Sequence, residues 1–323
     1  MPVIDAEHLK RLKLHRRPRG QILFANLVLN ADYRFPRRTS ITIEGVENLP
    51  REGGAILAMN HTDRFNYWPF QYQMYRQGLP FTATWVKGKY YENAFMTWFL
   101  NQTNNIPLPS RGYLLTTTFR DHAGRVPTTE EYRYLRGLTN GVETGESPAS
   151  EEVSSLVGES PATFAATFEE QFETLMRRVM KLNSRAVHDF GLNLLVFPEG
   201  TRSLRLKRGH TGLVEVSQYL NLPIIPVGCN GSDQLYPGNS PLSKGGDVVY
   251  RVGPALAVDG PEFSNYRISD GSVPFSRHIK QAHGERLQSM TEIVMTRISS
   301  LLDPEYQSSA DDGDGDTGSA RFV

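Results

Sequence analysis

Apolar and polar positions alternate between two periods along most of the chain. Ser40-Ile-Thr-Ile-Glu44 alternates residue by residue, as a half-buried strand does. Gly54-Ala-Ile-Leu-Ala-Met59 and Leu192-Asn-Leu-Leu-Val-Phe197 are short apolar runs, as expected of strands buried on both faces. Phe81–Val86, Pro223–Val227 and Val248–Val252 read as further strands. Between them lie helical patterns: one running to Tyr75, one over Asn93–Asn101, one over Phe164–Val187 and one over Leu213–Leu220. This rhythm predicts an α/β fold with a mostly parallel central sheet flanked by helices.

Two stretches break the rhythm. Residues 112–163 show little apolar periodicity and hold two similar polar pentapeptides, Gly145-Glu-Ser-Pro-Ala149 and Gly158-Glu-Ser-Pro-Ala162. They read as a turn-rich insertion that can serve as a cover. Residues 307–323 are rich in Ser, Asp, Gly and Thr and read as a disordered tail. The organisation expected is an N-terminal basic segment over 1–39, a domain over 40–306 carrying the insertion, and the tail.

The N-terminal segment carries Lys10, Arg11, Lys13, Arg16, Arg17, Arg19, Arg34, Arg37 and Arg38 beside Ile22, Leu23, Phe24, Leu27 and Leu29. Such a segment either lies on an anionic membrane surface or packs on the domain as a solvated helix. The apolar Phe95, Met96, Trp98, Phe99 and Leu100 give the Asn93–Asn101 helix a possible interfacial face. No apolar run is long enough to span a bilayer, and the basic run lacks the core and cleavage site of a signal peptide. A location on the cytosolic side, soluble or peripheral at a membrane, is expected.

Composition narrows the function. The 323 residues have a formal net charge of zero, which disfavours a nucleic-acid partner. A single cysteine, Cys229, excludes an intrachain disulfide and reads as a small buried apolar residue. His61, Asp63 and His122 lack the spacing of a metal-ligand set, and no Gly-x-Ser-x-Gly nucleophile elbow occurs. No metal or cofactor is expected.

Four blocks carry chemistry: Met59-Asn-His-Thr-Asp-Arg-Phe-Asn66, Asn105-Ile-Pro-Leu-Pro-Ser-Arg-Gly112, Val196-Phe-Pro-Glu-Gly-Thr-Arg-Ser203 and Leu222-Pro-Ile-Ile-Pro-Val-Gly228. Polar residues following parallel strands sit where α/β folds bind ligands. His61 can serve there as a base near neutral pH, and arginines suit a phosphate. These blocks, in this order, resemble the glycerolipid acyltransferases, typified by the 1-acylglycerol-3-phosphate acyltransferases. The third block matches that family residue for residue over Phe197–Ser203, and the fourth matches over Leu222–Val227.

The resemblance covers roughly residues 40–255 and implies a direct transfer. His61 would take the proton of an acceptor hydroxyl, which attacks the thioester of acyl-CoA or an acyl-carrier protein. Arg111 and Arg202, with Glu199, Gly200 and Thr201, would hold the phosphate and glycerol of a lipid acceptor. The family places an Asp five residues after the His; this chain has Asn66 there. Either Asn66 or Asp63 is then the partner of His61, and an inactive lipid-binding protein is the competing reading. An acyltransferase for a different lipid acceptor is another. Tyr67, Trp68 and Phe70 belong either to the core or to an acyl groove.

Overall fold

This computed structural model describes residues 4, 6–141 and 148–308. Most of the first pentapeptide copy and residues 309–323 of the expected tail lie outside the described residues. The chain opens with helix α1 (Ala6–Arg11). Next comes one continuous helical rod: α2 (Arg19–Phe24), a π-helical turn (Ala25–Leu29) and α3 (Asn30–Asp32). The body then runs β1 (Thr39–Glu44), β2 (Ile56–Met59), α4 (Tyr67–Arg76), β3 (Thr82–Lys87), α5 (Ala94–Gln102) and β4 (Asn105–Leu108). Four helices follow: α6 (Arg111–Ala123), α7 (Thr129–Asn140), α8 (Glu151–Val157) and α9 (Pro161–His188). The chain returns through β5 (Asn193–Val196), α10 (Gly212–Leu220), β6 (Ile224–Asn230), α11 (Ser232–Leu235), β7 (Gly246–Val252) and α12 (Arg277–Ser299).

The seven strands form one sheet in the order β1-β7-β6-β2-β5-β3-β4. All neighbours are parallel except β6 and β7, so the mostly parallel α/β expectation holds. Strands β2, β5 and β6 are buried throughout, which explains why they read as unbroken apolar runs. β4 was read only as a chemical block. It is an edge strand, where Pro107 removes a donor at little cost.

Residues 112–163 are not the turn-rich loop their sequence suggests. Helices α6, α7, α8 and the start of α9 enclose a small core of Leu115, Phe119, Tyr132, Tyr134, Leu135, Val153, Val157 and Phe168. The second pentapeptide is punctuation between helices. Gly158 ends α8, the Ser160 hydroxyl accepts from the Thr163 N–H, and Pro161 opens α9 where its missing donor costs nothing. α7 starts on a capping box between Thr128 and Glu131.

The N-terminal segment divides by face. Ile4, Leu9, Leu12 and Leu14 are buried in the main core, and α1 packs on α9. The rod over 19–32 lies against α4 and α5 and contributes Ala25 and Leu29 to the second core. Gln21 Nε2 ties it to the Thr82 and Thr103 carbonyls. Among the described residues, no helix is long and apolar enough to cross a membrane.

Candidate functional site

The site sits at the carboxyl ends of the central strands, where the chain leaves β2 and β5 side by side. Asn60, the first residue after β2, keeps the two strands beside it in step. Its Nδ2 donates to the Cys229 carbonyl at 3.0 Å and its Oδ1 accepts the Cys229 N–H at 2.7 Å. The side-chain amide thus replaces one peptide of the ladder to β6, which frees the main chain to turn. Cys229 is fully buried, and burial pushes its thiol far above the ordinary range, as expected of a packing residue.

His61 follows and is held at both backbone groups by the third block. Its N–H donates to Glu199 Oε2 at 2.7 Å, and its carbonyl accepts the Ser203 N–H at 2.8 Å. The imidazole stacks on Phe197, with centroids 4.1 Å apart and planes 18° from parallel. Its Nδ1 lies 3.1 Å from Asn66 Oδ1.

The hydrogen bonds of Asn66 fix the tautomer of His61. Asn66 Nδ2 donates to the Asn60 carbonyl at 2.8 Å, and that oxygen can only accept. Asn66 Oδ1 is therefore the atom facing the ring, so Nδ1 carries the hydrogen and Nε2 keeps its lone pair. The Tyr250 hydroxyl donates to the Asn66 carbonyl at 2.6 Å and anchors the turn from below.

His61 is pulled down to about 4, mainly by burial and further by the positive charges of Arg202 and Lys87. The Asn66 contact works in the opposite direction. At neutral pH the ring is a neutral base with no carboxylate on its Nδ1.

Asp63 is not the partner of that nitrogen. Its Oδ1 accepts the Phe65 N–H at 2.8 Å and its Oδ2 accepts from the Thr62 hydroxyl at 3.0 Å. Both oxygens serve the local turn, and burial pushes the carboxyl upward. Sequence spacing left Asp63 and Asn66 equal; the turn leading into α4 separates them.

Glu199 also differs from its expected role. Burial pushes it up to about 7, although its two oxygens accept backbone N–H groups from His61 and, at 3.0 Å, Lys207. It ties the His61 turn to the third-block loop and has no oxygen left over for a ligand. Gly200 sits at φ +65, and a Cβ there would lie 2.9 Å from the His210 ring, so glycine is required on two counts. Thr201 and Arg202 complete the loop; Arg202 is exposed and projects its charge toward His61.

Arg111 departs furthest from expectation. Its Nη1 lies 2.6 Å from a Glu169 oxygen, and its Nη2 donates to the Thr139 carbonyl at 3.0 Å. The guanidinium covers the rings of Phe168 and Phe172 at 5.4 and 5.0 Å. It joins α6, α7 and α9 rather than standing free for a phosphate. Sequence reasoning missed Lys87, the last residue of β3, whose charge reaches His61. A cation closing a strand beside the His block was the available signal.

Phe70 is a core residue against Tyr250. Tyr67 and Trp68 instead line a narrow crevice with Gln21, Phe24, Tyr75 and Phe99.

No protein-family model matches the chain, and no curated protein matches it. Four solved chains match its fold. One is the 1-acyl-sn-glycerophosphate (LPA) acyltransferase PlsC from Thermotoga maritima, at 15% identity and a TM-score of 0.42 over 91% of this chain and 87% of that one. A likeness of this degree assigns no activity, so the chemistry rests on the site itself.

Proposed function

We propose that the protein is a lipid O-acyltransferase with His61 as general base. The observation that carries this reading is the His61–Asn66 pair, clamped by Glu199 to the loop that bears Arg202. A neutral imidazole with a free Nε2 is the species that accepts a hydroxyl proton. Arg202 and Lys87 supply positive charge at the same strand ends, as a phosphorylated acceptor requires. In the reaction, His61 Nε2 takes the proton as the acceptor oxygen attacks the thioester carbonyl. The C–S bond then breaks, and the imidazolium returns the proton to the leaving thiolate. Arg202 holds the phosphate so that remote binding orients the hydroxyl. Acyl-CoA or acyl-carrier protein is the donor, and a glycerol-phosphate-type lipid at the cytosolic face of a membrane is the acceptor.

The direct test measures free thiol released from acyl-CoA by purified protein with lysophosphatidic acid in mixed micelles. Release that disappears in His61→Ala is expected. Wild-type protein that binds the lipid without turnover would sink the enzyme reading. One observation favours that outcome: a neutral amide stands where a carboxylate would stabilise the imidazolium. The reading would then be a lipid-binding protein on the same fold.

A further inference from the structure

Five large apolar side chains, Leu23, Leu27, Phe35, Phe95 and Trp98, are each more than half exposed. Four of them sit on two helices that touch. Leu23 and Leu27 lie one turn apart on the rod, and the Phe95 and Trp98 rings are 6.1 Å apart on α5. The helices meet closely: a Cβ on Gly20 would lie 2.3 Å from the Gln102 carbonyl oxygen, and Phe24 packs edge-on against Phe99 at 5.7 Å. The apolar face is therefore shared between segments some 70 residues apart in sequence. Phe35, 79% exposed, follows the far end of the rod.

The charge around this face has one sign. Arg16, Arg17, Arg19, Arg34, Arg37 and Arg38 are all exposed, and none is ion-paired among the described residues. The acid among them, Asp32, has its carboxylate occupied by the Ser243 N–H. Arg34 and Arg38 line an open pocket with Thr39 and Gln73, a ready seat for an anionic group. Exposed Phe, Trp and Leu ringed by arginines suit the boundary between acyl chains and anionic headgroups.

We infer that the protein docks on an anionic lipid bilayer through the rod over 19–32, the Arg34–Arg38 turn and α5. The face also leads to the site. Phe24, on the rod beside Leu23, packs on Trp68 at 4.9 Å, and Trp68 meets Tyr67 at 6.3 Å. Tyr67 meets Phe197 at 6.1 Å, and Phe197 stacks on His61. A row of rings thus connects the bilayer-facing helix to the base, along the crevice walled by Phe24 and Trp68. This deepens the proposed function by naming the surface that supplies its lipid, and docking can be read without turnover.

The experiment uses the full chain and vesicles of phosphatidylcholine with or without one third phosphatidylglycerol. Co-sedimentation at low salt is expected with the anionic vesicles, at least ten-fold weaker without phosphatidylglycerol and weaker again at high salt. Two variants target exposed positions only: Leu27→Glu with Trp98→Glu, and Arg34→Glu with Arg37→Glu and Arg38→Glu. Each is expected to lose binding ten-fold or more while its melting temperature and its turnover of a water-soluble short-chain acceptor stay unchanged. Should the first variant fail to fold, Phe95→Ser repeats the apolar test alone. Folded variants that still sediment like wild type overturn the inference. So does a wild-type dimer that the first variant returns to monomer, which would assign the face to a second copy. Docking without turnover leaves the inference standing and removes the enzyme reading; turnover without docking does the reverse.

Discussion

Replacing Asn66 with Asp puts the chemistry of the base under direct test. The new carboxylate would lie at the 3.1 Å position from Nδ1 now held by Oδ1. Two unit charges near 4 Å attract by about 4 kcal/mol at an effective dielectric of about 20. Burial of the carboxylate opposes this, and an opposite charge at such range raises a histidine by about 1–3 units. His61 is then expected to climb from about 4 to about 5–7. The substitution also has a cost. Asn66 Nδ2 donates to the Asn60 carbonyl at 2.8 Å, and a carboxylate oxygen there would face another acceptor. Losing that bond and crowding two acceptors costs about 1–3 kcal/mol of stability.

The rate gain is expected to be modest. In serine proteases the reverse change loses about 10⁴-fold because it imposes the wrong tautomer. Here the Asn60 carbonyl already sets the tautomer, so only charge stabilisation is recovered. A gain of about ten-fold in kcat, about 1.4 kcal/mol, follows. The assay is thiol release from about pH 4 to about pH 9, paired with NMR titration of the His61 ring. The acid limb of kcat should move upward with the ring. A folded variant whose limb and kcat match wild type would refute the reasoning, because the partner of Nδ1 would then have no influence on the base.

Three further outcomes are expected. Arg202→Ala should raise KM for a phosphorylated acceptor about 10–100-fold and change an unphosphorylated lipid alcohol less than about two-fold, measured by steady-state kinetics. Arg111→Ala should behave oppositely, lowering the melting temperature through loss of its Glu169, Thr139 and ring contacts while KM stays put. Glu199→Gln should change the pH dependence of stability, read from urea unfolding. His61 titrates near 4 folded and near 6.5 unfolded, so the unfolded chain binds more protons and stability falls as pH drops from 6.5 toward 4. Glu199 titrates near 7 folded and 4.5 unfolded, so its contribution falls as pH rises from 4.5 toward 7. The two oppose each other between those limits. Removing the glutamate should expose the histidine slope, up to about 1.4 kcal/mol per pH unit.

The strands and the His61 block were legible because buried parallel strands are apolar on both faces and end where polar residues begin. Three features were not. The helices of 112–163 are short, and tyrosines such as Tyr132 and Tyr134 fill core positions, so their apolar period is faint. α12 was passed over, although it buries Leu287, Met290, Val294 and Ile298. The roles of Asp63 and Glu199 depended on where each carboxylate points, which the turn geometry decides and residue spacing does not. Glu199 belongs to a block that reads as substrate contact, yet both its oxygens face backbone N–H groups.

The side chain of Asn60 standing in for a peptide has a consequence for motion. The His61 turn is attached to the sheet at Asn60 and tied across to the third-block loop through Glu199 and Ser203. No one of these ties can open alone without leaving a buried donor or acceptor unpaired. The amide hydrogens of His61 and Cys229 should therefore exchange with solvent only when the sheet itself opens, at the slow rate of the core strands. A loop that carries a reactive side chain would then be as long-lived as the framework beneath it, while the exposed Arg202 beside it stays free to follow a ligand.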